Sequence, residues 1–130
     1  MRIPALLGVV LALGACAPER TPQAPPTELA RVEAPQTGAR VTSPLRVSGV
    51  APADWYFENQ FSVTLVGGDG AIIAEAPAHP RVNWTAPGPK EFDAELRFDT
   101  EGPAVLVLQE SMPRDGETPR EVRMPVMLAR

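Results

Sequence analysis

Sixteen prolines are scattered through the 130 residues, and they limit the fold more than any other feature. Proline has no amide hydrogen to donate, and its ring clashes with the preceding helical turn. A chain interrupted this often leaves no segment of helical length and period. From about Ala30 onward it shows short apolar runs set apart by Pro, Gly and Asp about every eight to twelve residues, the spacing of a β-sandwich.

Two segments alternate strictly. Phe61, Val63 and Leu65 are interleaved with Ser62 and Thr64, while Phe92, Ala94, Leu96 and Phe98 are interleaved with Asp93, Glu95 and Arg97. Each reads as a strand with one dry and one wet face. Val105 to Leu108 is apolar throughout, which suits a strand covered on both sides. Arg31–Ala34, Leu45–Val50, Ala71–Glu75 and Glu121–Leu128 bring the expected number to about seven. Gly67-Gly68-Asp69-Gly70 and Arg114-Asp115-Gly116 supply tight turns. Pro125 requires the last strand to lie at an edge or carry a bulge. The expected core is Val41, Leu45, Val47, Phe61, Val63, Leu65, Ile72, Phe92, Leu96, Phe98, Val105, Val107, Val122 and Val126.

Composition removes several functions. A net charge of -4 and a pI near 5.0 leave no cationic surface for nucleic acid. A single Cys excludes an internal disulfide, and one His without a Cys cluster excludes a zinc site of the usual kind. No phosphate loop or metal-ligand cluster is present in the sequence, so no cofactor or metal is expected.

The amino end is an address. Arg2 is followed by the apolar run Ala5–Leu13 and then Gly14-Ala15-Cys16, which is too short to span a bilayer and has the three zones of an export signal. Leu13-Gly14-Ala15-Cys16 resembles the bacterial lipobox, which implies acylation of the Cys16 thiol and cleavage before it. Two or more acyl chains give stable anchoring. Residues 17–30 are proline-rich without apolar periodicity and read as a tether. The expected organisation is therefore a leader at 1–16, a tether at 17–30 and a domain at 31–130. With Ala17 rather than Asp after the cysteine, the periplasmic face of the outer membrane is favoured in a Gram-negative cell.

The domain is similar to the Gmad2 family, the immunoglobulin-like domain of bacterial spore germination proteins. The likeness runs from about Val32 to Leu128. It rests on Ser43-Pro44-Leu45-Arg46-Val47-Ser48-Gly49, Phe57-Glu58, the strand Phe61–Leu65 with Asp69-Gly70, the strand from Phe92, Glu110-Ser111, Asp115-Gly116 and the closing Val122–Leu128. It implies an all-β, immunoglobulin-like two-sheet antiparallel sandwich in extracytoplasmic proteins, with an accessory or binding role and no catalysis. "Germination" is taken here as a family name, because fold does not fix function.

Tyr56, Glu58 and Glu110 are the candidate binding or loop-organising residues. In strand phase Trp55 and Phe57 share the side of Phe61, leaving Tyr56 outward as an aromatic contact for protein or glycan. Glu58 and Glu110 either hold loops or meet as a pair. No catalytic residue is assigned. His79 reads as a solvated loop side chain, and no serine sits in a nucleophile elbow. Asn83-Trp84-Thr85 matches the glycosylation acceptor pattern, but Trp84 is read as a core-filling ring. The expectation is a non-catalytic binding or accessory module. It would be held to the membrane through Cys16 and would meet an envelope protein or the cell wall. The alternatives are a small glycan hydrolase using the carboxylate pair, and a structural spacer.

Overall fold

The computed structural model describes residues 28–130. The expected leader with Cys16, and residues 17–27 of the expected tether, lie outside the described residues. Eight strands follow in chain order: β1 (Arg31–Ala34), β2 (Arg40–Val41), β3 (Leu45–Ala51), β4 (Phe61–Gly67), β5 (Ile72–Pro80), β6 (Lys90–Leu96), β7 (Gly102–Gln109) and β8 (Glu121–Leu128). A single 3₁₀ turn at Ala53–Trp55 is the only helical piece among the described residues.

The strands hydrogen-bond in the order β1-β3-β6-β5-β4-β7-β8-β2, one curled ladder whose halves share β5. The first part of β5 pairs with β4, from Ile72↔Val66 to Ala78↔Phe61, and its end pairs with β6 through His79↔Asp93 and Pro80↔Phe92. All neighbours are antiparallel except β2, a two-residue strand parallel to β8. It is the addition to the seven expected strands, and it is too short to leave a signal in the sequence.

The short β2, and not β8, forms one edge, and β8 pairs with β7 without a bulge, so Pro125 is accommodated in another way than expected. In an extended antiparallel strand the N and O of one residue point to the same side, and the Pro125 carbonyl accepts from the Gly38 amide at 2.7 Å on the outer side of β8. The missing N–H of Pro125 therefore faces away from β7, and the ladder loses nothing. Gly49 sets the other edge, since a Cβ there would come within 2.0 Å of the Arg31 carbonyl oxygen, so only glycine lets β1 lie against β3.

The buried set contains most of the expected positions, including Val41, Leu45, Val47, Phe61, Val63, Leu65, Phe92, Leu96, Val107 and Val126. Three differences have physical causes. Ile72 is 64% exposed because the register slips between Leu65 and Val66, which flips the phase of β5, turns Ile73 towards the core and leaves Ile72 outside. In β7 the fully buried residues are Leu106 and Leu108, opposite Leu65 and Val63, while Val105 is half-buried. An all-apolar run does not reveal which residues face in. Phe98 and Val122 pack on the rim of the core, only partly covered.

The registers also define two poles. Arg31↔Val50, Ala51↔Lys90, Phe61↔Ala78, Ser62↔Gln109 and Gln109↔Glu121 bring the entering chain and the connections 52–60, 81–89 and 110–120 to the same end. We call it the entry pole.

Phe61 sits at the centre, 1% exposed. Phe61→Ala should cost about 3 to 5 kcal/mol, and Phe98→Ala clearly less because that ring is already part-solvated. Urea unfolding of both variants checks the ranking, and equal losses would contradict the assigned core.

Candidate functional site

The entry pole is organised by Arg120. Its Nε donates to Glu110 Oε2 at 2.6 Å, and its other terminal nitrogens reach Asp54 Oδ1 at 2.8 Å and the Glu28 carbonyl at 3.1 Å. Its backbone N–H donates to Glu110 Oε1 at 3.2 Å, and Glu110 N–H donates to the Arg120 carbonyl at 3.0 Å. The guanidinium lies over the Trp55 ring, 5.8 Å from its centre, while Trp55 Nε1 donates to the Glu28 carbonyl at 3.3 Å. Burial works against the Arg120 charge, but the hydrogen bonds it donates to the two carboxylates outweigh it and raise its pKa. One cation thus joins the 110–120 connection, the 3₁₀ turn and the first described residue.

Glu110 is accordingly buried and committed to Arg120. Glu58 is exposed on a two-residue turn with Asn59, where φ is 53° and 72°, and it makes no ion pair with another described residue. The two carboxylates are not joined in a shared contact. Sequence reasoning did not single out Arg120 or Asp54, which come from connections far apart in the chain and carry no local motif.

Tyr56 corrects the expected phase. It is buried, 4% exposed, and its hydroxyl donates to the Lys90 carbonyl at 2.8 Å. Phe57 faces out instead, 40% exposed, with its ring edge-on to Trp84 at 6.0 Å. The reason is local: the 3₁₀ turn breaks strand alternation, so Trp55 and Tyr56 both turn inward, and the Phe57↔Gln60 bridge then directs Phe57 away. His79 lies within β5 rather than in a loop, and its Nδ1 donates to the Asn59 carbonyl at 2.9 Å. Trp84 is only half-buried, against the core-filling role expected of it.

A second feature lies on the outer face of the β5-β4-β7-β8 half. Ile72↔Val66, Val66↔Val105 and Val105↔Pro125 are successive cross-strand pairs, so these four side chains form one apolar row across four strands. Exposed Met127 lies beside its end, over an apolar depression of about 280 Å³ shared with Pro103 and Gly38. Among the described residues there is no group of three or more His, Cys, Asp or Glu placed to hold a metal ion. No described helix is long and apolar enough to cross a membrane.

Strands β1-β3-β6 with the end of β5, and β4-β7-β8, reproduce the A-B-E-D and C-F-G orders of an immunoglobulin-like domain. The family model for Gmad2, the immunoglobulin-like domain of bacterial spore germination, matches residues 29–117. That is a little over two thirds of the chain, and the protein belongs to this family. Gmad2 is not a known enzyme family. The matched region ends before β8, which completes the ladder beyond it. No curated protein and no solved structure matches the chain.

Arg120→Met leaves a buried carboxylate without its partner and should cost about 3 to 5 kcal/mol. Adding Glu110→Met should recover most of that loss in urea unfolding, and a double variant as weak as the single one would show that the ion pair is not the cause. Burial raises the Tyr56 pKa above the ordinary tyrosine value of about 10. The unfolded chain therefore binds fewer protons than the folded one once pH passes that value, and stability declines as pH rises. Tyr56→Phe should lose about 1 kcal/mol at neutral pH and flatten the alkaline decline. An unchanged alkaline profile would assign the decline to other groups.

Proposed function

We propose that this protein is a lipid-anchored, extracytoplasmic Gmad2 module of the bacterial envelope that works by surface contact rather than bond making. Acylated Cys16 holds it to the membrane, the outer membrane where the cell has one, and residues 17–30 carry the domain. The observation that carries the binding reading is the apolar row Ile72-Val66-Val105-Pro125 with Met127 beside it. A solvated sheet face has no need of such a row, and contiguous exposed apolar surface marks contact sites on soluble domains. We assign this face to a protein partner in the envelope. The commitment of Glu110 to Arg120 weighs against the glycan hydrolase reading, which needs that carboxylate free in a cleft. A spacer would leave the row without a use.

Two measurements test this. Mass spectrometry of the detergent-extracted amino-terminal peptide should find Cys16 acylated, and an unmodified thiol ends the anchoring claim. A photoactivatable residue at Ile72 or Met127 should give one discrete adduct in intact envelopes, lost when Val105→Arg is added. Adducts indistinguishable from those made by the same probe at exposed Glu33 on β1 would sink the contact claim.

A further inference from the structure

The exposed large apolar side chains are unevenly distributed. Leu29, Phe57, Val82 and Met112 are between 40% and 57% exposed, and all four belong to the entry pole. Leu29 lies on the entering chain, Phe57 in the 52–60 connection, Val82 in 81–89 and Met112 in 110–120. Direct contacts join the connections: Phe57 to Trp84 at 6.0 Å, the Ser111 hydroxyl donating to the Gln60 carbonyl at 2.7 Å, and Ser111 N–H donating to the Trp55 carbonyl at 2.9 Å. Ile72 and Met127, the other exposed large apolar residues among the described ones, lie on the outer sheet face described above. Three separate loops and the entering segment therefore place apolar tips at the end where the chain comes in.

We infer that the entry pole rests on the lipid bilayer, with Leu29, Phe57, Val82, Trp84 and Met112 in the interfacial layer. The inference depends on the anchoring reading, because the position of the anchor identifies the occupant. Glu28 is twelve residues after Cys16, a reach of at most about 40 Å at full extension. The Glu28 carbonyl is gripped by Arg120 and Trp55, so the chain enters the domain at a defined point among these tips. A surface held at the end of so short a chain is presented at an effective concentration of the order of millimolar. Aromatic rings and flexible apolar side chains suit the boundary between water and acyl chains. Charge does not supply the attraction, since acidic residues outnumber basic ones in these connections. The contact is apolar, too weak without the anchor, and insensitive to salt. Seated this way, the domain turns the Ile72-Val66-Val105-Pro125 face sideways, clear of the lipid.

The chain has one cysteine and two tryptophans, Trp55 fully buried and Trp84 half-buried, which makes the test direct. The chain from Cys16 onward is coupled through its thiol to a maleimide-headgroup lipid in phosphatidylcholine vesicles, with or without bromine on the upper acyl chain. The coupled protein should lose Trp84 emission to the bromines, equally at low and high salt, and Trp84→Phe should remove the quenchable part. The uncoupled Cys16→Ser chain should keep its emission with the same vesicles. Phe57→Ser with Val82→Ser should abolish quenching while the melting temperature stays within a few degrees of the parent. Unquenched emission from fully coupled protein, or quenching that the double variant retains, overturns the inference. Chemical coupling replaces the acyl group, so this outcome is separate from whether cells acylate Cys16.

Discussion

The domain depends on the edge-to-face packing around Phe61. Its ring meets Trp55 at 5.4 Å and 84°, Tyr56 at 5.2 Å and 61°, and Phe92 at 5.0 Å and 76°. Phe61 belongs to one half of the ladder and Phe92 to the other, while Trp55 and Tyr56 come from the connection between β3 and β4. Rings in this arrangement add directional attraction to the area they bury. Both halves and the loop between them therefore converge on one side chain.

Polar interactions at the entry pole extend from that centre. Trp55 packs on Phe61 with one edge and donates its indole N–H to the Glu28 carbonyl, while Arg120 lies over its face. Arg120 then holds Glu110 and Asp54. The point where the chain enters is thus coupled through two side chains to the deepest part of the core. Any orientation imposed at this entry is passed to a rigid body rather than to a fraying strand. The outer face of β4, β7 and β8 can then be presented in a constant direction.

The two proposed surfaces follow from different kinds of order. The apolar row on the sheet depends on register alone, since Ile72, Val66, Val105 and Pro125 align only because the slip at Leu65/Val66 puts Ile72 outside. The apolar tips of the entry pole depend on loop conformation, and Phe57 reaches the surface only because the 3₁₀ turn before it rotates the chain. Neither pattern can be recognised in the linear order of residues.

Strand identity was readable in advance because alternation is a local property. The Phe61 and Phe92 segments, Arg31–Ala34 and Glu121–Leu128 all declare themselves within a few residues, and prolines forbid a helical alternative. The Cys16 pattern on which the proposed anchoring rests is equally local, since it is read within four adjacent residues. The facing of Leu106 against Val105, the outward turn of Ile72, the burial of Tyr56 and the pairing of Arg120 with Glu110 were decided only by the tertiary structure. Each depends on a partner brought from elsewhere in the chain, and a one-residue slip or a single turn of 3₁₀ geometry reverses which side a residue faces.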